Sequence, residues 1–339
     1  MLHSEVTEKD KGVRLDMFVL QLIRSLEVGT DVSTVSREQV QNILSDIVTI
    51  NSLIKKPSYR LKQGDQVEMD QDRLMELLVN IREKRESINQ IQPIRGDLEI
   101  IEESRSYLVL NKPRGLAVHP GIGNEQDNLA NRVNWYFSST GVDTAPLVRS
   151  GLVHRLDKPV GGLIIFAKDR STQIDLADQF SRHTVLKIYH AHSSTALDVI
   201  GGENKEDLSE MPSELDRIIT EWKEGGVDSI SQTGWLNATG VIERDPLHRK
   251  RMWFRPTHAT VGNSRNSVSF IRRYGDNELL IRIETGRTHQ IRATLMYLGC
   301  PIDGDSLYSS KYDVPDQIDL TSVVLGIAVD GEDRVWRII

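Results

Sequence analysis

The chain has 339 residues, of which 38% are hydrophobic and 27% charged, values typical of a globular protein long enough for two domains. Lys and Arg number 42 against 49 Asp and Glu, so the net charge of −7 argues against binding nucleic acid over the whole surface. The single cysteine, Cys300, excludes disulfides within the chain and thiolate zinc sites.

The N-terminal ten residues contain no apolar core of the kind that a signal peptide has, and no apolar run is long enough to cross a bilayer. We therefore expect a cytoplasmic protein with no membrane partner. We also expect a monomer.

Charge is distributed unevenly along the chain. Residues 241–296 hold 11 Arg and Lys against 5 Asp and Glu, whereas residues 198–228 hold 3 against 10. A basic region can bind phosphate groups while acidic surfaces elsewhere keep a protein soluble.

The first unit is predicted over residues 12–70. Leu15, Phe18, Val19 and Leu22 have helical spacing, and Ser36 is a plausible N-cap of a second helix. Short strand-like runs follow at residues 47–51 and 59–69. Residues 71–97 are highly charged, and we expect them to form a linker without chemistry.

The second unit is predicted over residues 98–339. Its pattern alternates strands and helices, with an acidic surface insertion at about 198–233 that holds one helix. The predicted strands are 98–103, 107–112, 162–167, 185–192, 267–271, 278–284 and 323–329, the last followed by a polar tail. The predicted helices are 128–137, 171–182, 214–223 and 288–298.

Three loops contain the candidate catalytic and binding residues: 112–121, 154–157 and 284–292. Each of them lies at the end of a predicted strand. Catalytic groups are common on such loops. Asp157 is the lone carboxylate candidate in these loops, whereas a general acid/base hydrolase needs two carboxylates. Asp303 and Asp305 are further carboxylates, but they lie in a turn of the type that Asp stabilises locally. The histidines lack metal-ligand spacing, and no phosphate-binding Gly-Lys-Ser/Thr loop occurs. No serine stands in a nucleophile elbow, although a Ser-His-Asp arrangement stays open.

The order of elements in residues 12–70 resembles the S4 RNA-binding domain. The resemblance rests on two helices followed by short strands around Val48-Thr49-Ile50-Asn51 and Leu61 to Val67. It implies that Arg14 and Arg37 present cations to RNA phosphates.

The three loops together resemble the RluA-type pseudouridine synthases, and within them the RluD-like branch that carries an S4 domain. The matching segments are Asn111 to Asn124, Gly151 to Asp157, Lys187 to Tyr189 and Glu284 to Arg292, with Gly304-Asp305 after them. This resemblance implies an α+β fold. A small S4-like domain would precede a catalytic domain with a large mixed, mainly antiparallel sheet flanked by helices.

The resemblance also implies the reaction, the isomerisation of uridine to pseudouridine in structured RNA, most plausibly large-subunit ribosomal RNA. No metal and no cofactor is expected, because the reaction is redox-neutral and moves one base on one sugar. The target uridine must be flipped into a pocket to be reached.

The resemblance assigns roles to individual residues. Asp157 would be the catalytic carboxylate, and Arg292 would pair with it. Tyr189 would stack on the flipped base and could take part in proton transfer. Substrate-binding residues would be Arg155, which fills the space left by the uridine, and Ile291, which packs on the base, with His154, Lys112 and His119 as further candidates.

Two positions depart from the family pattern. After its Lys, the central motif of the family usually continues as Asp-Thr-Ser/Thr-Gly, whereas this chain has Pro159-Val160-Gly161-Gly162. Two residues after Arg292 the family has a His, whereas this chain has Thr294. Two alternatives therefore stand beside the ribosomal enzyme. One is a tRNA pseudouridine synthase of the same family, and the other is an RNA-binding protein of this fold with reduced or lost activity.

Overall fold

The structure is a computed structural model that describes residues 2–25, 37–76, 78–79, 91–121, 127–195, 207–257, 266–275, 277–309 and 317–338. The chain divides into two compact units, Met1–Gln90 and Ile91–Ile339. Among the described helices, none has both the length and the apolar character needed to cross a membrane. The expected N-cap Ser36 lies outside the described residues.

The first unit packs two helices against a three-stranded antiparallel sheet of order β1-β3-β2. The amphipathic helices bury one face each, as their apolar spacing predicts. The elements are β1 (Leu2–Glu5), α1 (Leu15–Ser25), α2 (Arg37–Ile47), β2 (Val48–Ile50) and β3 (Gln66–Met69). The assignment of this unit as an S4 domain stays a prediction.

The core of the first unit extends into the range expected to be a linker. A helical segment at residues 71–76 follows β3, and Leu74 and Leu78 are buried in the same cluster as Leu15 and Leu44. Residues 71–78 therefore contribute to packing, and Ile91 is already buried in the core of the second unit.

The second unit is built on a large mixed sheet whose strand order is β4-β5-β6-β12-β7-β11-β10-β8-β9, with β13 paired to β12. Only the β6–β12 pair is parallel among the described strands, so the expected mainly antiparallel α+β fold is confirmed. The strands are β4 (Glu99–Glu103), β5 (Tyr107–Lys112), β6 (Gly161–Ala167), β7 (Leu186–His192), β8 (Leu236–Arg244), β9 (Met252–Pro256), β10 (Asn266–Tyr274), β11 (Glu278–Ile283), β12 (Leu320–Val329) and β13 (Glu332–Arg337).

Helices cover both faces of this sheet. Along β6, Ile164 and Phe166 join one core cluster while Leu163 and Ile165 join another, as the two-residue period of a strand requires. The helices are α3 (Leu129–Ser139), α4 (Arg170–Arg182), α5 (Met211–Gly225) and α6 (Gln290–Tyr297). Helices α3 and α6 pack on the first face, α4 and α5 on the second.

Two segments of the second unit also contradict the sequence-based expectation. The end of the chain, expected to be a polar tail after the last strand, forms β13, which pairs with β12 and buries Trp336. The insertion helix α5 buries Met211, Leu215, Ile218 and Trp222 against the sheet, so within the described residues 207–233 the insertion is part of the sheet's cover.

Candidate active site

Two of the three predicted motif loops, 154–157 and 284–292, meet at one pocket on the sheet face that carries Tyr189, whereas loop 112–121 contributes no lining residue. The lining side chains come from the Arg155–Asp157 segment, from Tyr189 on β7 and from the loop that leads into α6. The pocket is lined by Arg155, Leu156, Asp157, Val160, Tyr189, Ile283, Gly286, Arg287, Thr288, His289, Gln290, Ile291, Arg292 and Leu320.

Arg292 connects two carboxylates at the base of this pocket. Its Nε and Nη2 donate to Oδ2 and Oδ1 of the fully buried Asp305 at 2.7 and 2.8 Å. Its Nη1 lies 3.6 Å from Oδ2 of Asp157, so the expected ion pair is present as a longer contact. Burial disfavours the Arg292 cation, but its hydrogen bonds to Asp305 and the negative charges of Asp305 and Asp157 together more than offset this and raise the pKa of Arg292.

Asp305 was read from the sequence only as part of a turn. Its carboxylate does accept the backbone N–H groups of Leu307 and Tyr308 at 3.2 and 3.3 Å. It also holds Arg292, whose side chain is 6% exposed, in a bidentate geometry that fixes the guanidinium plane. The Gly304-Asp305 segment at the end of the family pattern was the available sequence signal for this role.

Tyr189 lies in the middle of the sheet, opposite Ile281 of β11 and Ser322 of β12. It is 8% exposed and lines the same pocket as Asp157. Burial raises the pKa of Tyr189, and the negative charge of Asp157 raises it further. The hydroxyl is therefore held in its neutral form, able to donate a hydrogen bond beside the carboxylate.

His289 is a pocket residue that the sequence reasoning did not single out. Its Nε2 lies 3.9 Å from Oδ2 of Asp157, and its Nδ1 is 3.0 Å from the Tyr308 hydroxyl. That hydroxyl also accepts from the backbone N–H of Met252 at 2.7 Å. Burial lowers the pKa of His289, so a neutral imidazole faces Asp157 at neutral pH.

Two of the expected substrate-binding residues line the pocket. Arg155 is exposed at its mouth, and Ile291, 5% exposed, forms part of its wall. Arg287 adds a second cation, and its Nε donates to the backbone carbonyl of Asn266 at 2.8 Å. The pocket thus has one carboxylate, several cations and an apolar wall.

Lys112 does not line the pocket, contrary to the expected substrate contact. Its side chain is buried, and Nζ donates to the backbone carbonyls of Pro113, Leu116 and Lys158 at 2.8, 2.7 and 3.1 Å. Because Lys158 directly follows Asp157, this ammonium group connects the first motif loop to the segment that carries Asp157.

His154 also has a structural position instead of the expected substrate contact. Its Nε2 accepts the backbone N–H of Ile165 at 3.1 Å, and its ring stacks on Phe180 at a centroid distance of 4.4 Å. Burial, with a smaller contribution from the charge of Lys187, lowers the pKa of His154 to about 3. The neutral imidazole accepts a hydrogen bond from the main chain on the α4 side of the sheet, so it cannot also contact a base in the pocket.

His119 lies close to the pocket mouth without lining it. Its Nδ1 is 2.7 Å from the carbonyl oxygen of Pro120, and burial lowers its pKa, with smaller contributions from Arg155 and Arg149. Residues 122–126 of this loop lie outside the described residues. A role for His119 in substrate binding stays a prediction.

Lys187 holds the start of the 284–292 loop. It lies two residues before Tyr189 on β7, and its Nζ donates to the backbone carbonyl of Glu284 at 2.8 Å. Burial lowers the pKa of Lys187 to about 8, while the Glu284 carboxylate opposes that shift. This contact fixes the start of the segment that leads to Arg287 and His289.

The departures from the family pattern are accommodated by apolar packing. Val160 is buried against the pocket, and its backbone N–H donates to the Asp157 carbonyl at 3.0 Å, which closes a turn. Gly162 has φ of +110°, and a Cβ there would lie 2.2 Å from the Ser322 carbonyl oxygen. Thr294 is fully buried, and its Oγ1 has no hydrogen-bond partner among the described residues.

The two arginines expected to bind RNA lie in the first unit. Arg14 makes a bidentate contact to the buried Asp16 at 3.1 and 3.0 Å, and its side chain is 35% exposed. Asp16 also accepts from Gln41 Nε2, so this pair joins α1 to α2. Arg37 is the first residue of α2, but its side chain lies outside what the structure describes.

No three His, Cys, Asp or Glu side chains in the described ranges lie together in an arrangement that could hold a metal ion. The groups that converge on the pocket are instead suited to acid–base, nucleophilic and electrostatic chemistry at one carboxylate.

Comparison with known proteins identifies the family. Residues 106–297 match the model of the RNA pseudouridylate synthase family. RNA pseudouridine synthase 2, chloroplastic, of Arabidopsis thaliana is 29% identical over 90% of this chain, which spans 66% of that relative's length. Ribosomal large subunit pseudouridine synthase D of Zymomonas mobilis is 29% identical over 89% of this chain and 79% of its own length. The solved structure of human RNA pseudouridylate synthase domain containing 4 is 18% identical, with a TM-score of 0.48 over 71% of this chain and 88% of that one.

The family match covers more than half of the chain and includes Asp157, Tyr189 and Arg292. The relatives span both units of the chain. The chain therefore belongs to the RNA pseudouridylate synthase family, in its RluA-type, RluD-like branch, whose members are isomerases that act on RNA uridines.

Proposed function

We propose that this protein isomerises specific uridines in large-subunit ribosomal RNA and that Asp157 is its catalytic carboxylate. The observation that carries the proposal is the position of Asp157 in the pocket, with Arg292 Nη1 at 3.6 Å and the buried Tyr189 in the same lining. The name of the relative from Zymomonas mobilis, ribosomal large subunit pseudouridine synthase D, supports the choice of substrate.

The residues divide the reaction between them. The bond between N1 of uracil and C1′ breaks, the base turns, and a bond forms between C5 and C1′. The C5 proton leaves and N1 gains one. Asp157 attacks C1′ or otherwise drives the cleavage, and Arg292, held by Asp305, places a positive charge beside the carboxylate and orients it.

The pocket walls hold the base while it turns. Tyr189 and Ile291 contact the two sides of the flipped uracil, and the neutral Tyr189 hydroxyl donates to it. Arg155, exposed at the mouth, fills the space that the uridine leaves in the RNA helix. Arg287 adds positive charge that attracts a phosphate of the RNA backbone.

The first unit extends the RNA contact in this proposal, with Arg14 and Arg37 facing phosphates. We further propose that the protein acts in the cytoplasm and as a monomer. Transfer RNA is the alternative substrate, because the catalytic pocket reads one flipped base and does not by itself identify the RNA that supplies it.

A pseudouridine map of cellular RNA from cells with and without the gene tests the substrate. We expect at least one pseudouridine of large-subunit ribosomal RNA to disappear on deletion and to return with the wild-type gene but not with Asp157→Asn. Loss of a transfer RNA site alone would identify the alternative substrate. An unchanged map in both RNA classes would contradict the proposal.

A further inference from the structure

A second cavity lies beside the catalytic pocket, on the other side of Tyr308. It has a volume of about 150 Å³ and opens between the end of helix α6 and strand β9. Its lining includes Arg251, Trp253, Phe254, Met296, Tyr297 and Tyr308. None of the roles assigned above to pocket residues uses this cavity.

The cavity presents apolar and aromatic surface that is accessible to a ligand. Tyr297 is 53% exposed, and Met296 next to it is 43% exposed. The Tyr297 ring packs on the buried Phe254 ring at a centroid distance of 5.3 Å and an interplanar angle of 58°. This contact holds the tyrosine ring in place while half of its surface stays open, which is the arrangement that a stacking platform requires.

The rim of the cavity is positively charged. The β8–β9 hairpin, residues 244–256, contains five Arg and Lys and one acidic residue, Asp245. The Asp245 carboxylate is occupied within the hairpin turn, where it accepts the backbone N–H groups of Leu247 and His248 at 2.8 and 3.1 Å. Arg249 and Lys250 are exposed, so the charge next to the aromatic surface favours a polyanion.

Tyr308 separates the two cavities by a single side chain. The Arg292 guanidinium lies 5.1 Å from the centre of its ring and the Arg251 guanidinium 6.0 Å. Its hydroxyl contacts the backbone of Met252 in the hairpin and His289 in the catalytic pocket. A polynucleotide with one base in the catalytic pocket therefore has the second cavity within reach of a neighbouring nucleotide.

We propose that this cavity binds an unpaired nucleobase of the RNA substrate close to the target uridine, with the base stacked on Tyr297 and the phosphates next to it contacted by Arg249, Lys250 and Arg251. The proposal rests on the proposed function, because it places the target uridine next to Asp157. Exposed aromatic surface with a basic rim fits a nucleotide better than an apolar protein segment. An apolar segment gains nothing from the five Arg and Lys of the hairpin.

The experiment measures binding of a fluorescein-labelled nine-residue oligouridylate to the full chain by fluorescence anisotropy. All proteins carry Asp157→Asn, so that no turnover occurs. Tyr297→Ala removes the platform, Tyr297→Phe keeps the ring, and Ile174→Ala removes another exposed apolar side chain on α4 as a matched control. A parallel oligonucleotide with the same backbone but abasic riboses separates base stacking from phosphate contact.

We expect Tyr297→Ala to weaken binding of the oligouridylate by roughly 10-fold, the loss typical of one stacked base. Tyr297→Phe and Ile174→Ala should bind within about twofold of the parent, and the abasic oligonucleotide should not distinguish the variants. Equal binding by Tyr297→Ala and the parent would overturn the proposal. So would a concentration-dependent dimer in size-exclusion chromatography that Tyr297→Ala abolishes, since the occupant would then be a second copy of the chain.

The binding measurement is independent of catalysis. If Asp157 has no part in catalysis, the difference between Tyr297→Ala and Tyr297→Phe persists in this assay. If the cavity binds no base, tritium release by the wild-type enzyme persists while the two variants bind alike. The two proposals therefore fail separately.

Discussion

Arg292 and Asp305 form a bidentate, buried ion pair, and the third nitrogen of the same guanidinium faces Asp157. The catalytic carboxylate in our proposal thus depends on a residue that does not touch the substrate. Asp305 decides the orientation of Arg292, and Arg292 in turn supplies the positive charge beside Asp157.

Asp305→Asn should lower both stability and turnover. It leaves the Arg292 cation buried with one hydrogen bond fewer and with the longer 3.6 Å contact to Asp157 in place of the bidentate pair, and breaking a buried pair costs about 3–5 kcal/mol. Urea unfolding measures the first effect and single-turnover kinetics the second. Asp319→Asn is the matched control, because its pair with Arg114 is about half exposed and contributes little. A variant that unfolds and turns over like Asp319→Asn would refute the positioning role.

Tyr189→Phe should retain RNA binding and lose turnover. The ring that packs in the pocket is kept, whereas the neutral hydroxyl that donates a hydrogen bond beside Asp157 is removed. We expect KM within about threefold of wild type and kcat lower by roughly 100-fold, in line with one general acid–base group. Tyr189→Ala should raise KM as well. An unchanged kcat in Tyr189→Phe would show that the hydroxyl takes no part.

The stability of the protein should fall with decreasing pH partly because of His154. Its folded-state pKa of about 3 lies below its ordinary value of 6.5, so the stabilisation that it provides is present above pH 6.5 and is lost as the pH falls toward 3. His154→Phe keeps the stacking on Phe180 but leaves the Ile165 N–H without its acceptor, which costs about 1–3 kcal/mol.

Unfolding free energies at pH 7 and pH 5 test this relationship. The loss of unfolding free energy from pH 7 to pH 5 should be smaller in His154→Phe than in wild type. In the control His248→Phe, whose side chain is 57% exposed, the loss should equal that of wild type. Equal losses in all three proteins would show that His154 is not the group responsible.

Lys112→Met should destabilise the catalytic loop without removing a pocket residue. Three backbone carbonyls lose their charged donor, and each hydrogen bond to a charged group contributes about 1.5–3 kcal/mol. We expect a lower melting temperature and a lower kcat, with the control Arg105→Met, at an exposed position, close to wild type. If Lys112 contacted substrate instead, KM would rise at an unchanged melting temperature.

The sequence was sufficient to predict elements whose pattern is local. The apolar runs of β5, β6 and β7 and the helical spacing in α4 place these elements to within a few residues. Motif residues also identify the two loops that line the pocket, 154–157 and 284–292, because catalytic groups are common on loops that a rigid sheet holds in place.

Pairings between distant parts of the chain could not be predicted in the same way. The partners of Lys112 and His154 are backbone groups, which carry no sequence signal. Asp305 lies in a segment with the composition of an ordinary turn. Its contact to Arg292 forms only when α6 packs on the sheet. The last strand, β13, has a polar exposed edge and reads as a tail until its pairing with β12 is seen.

Tritium release from RNA labelled at C5 of uridine tests the central claim most directly, since the label leaves only when C5 is joined to C1′. The comparison uses wild type, Asp157→Asn and the Asp319→Asn control on a transcript of large-subunit ribosomal RNA. We expect release by wild type and by Asp319→Asn and none above background by Asp157→Asn. Equal release by wild type and Asp157→Asn would contradict the assignment of Asp157 as the catalytic carboxylate.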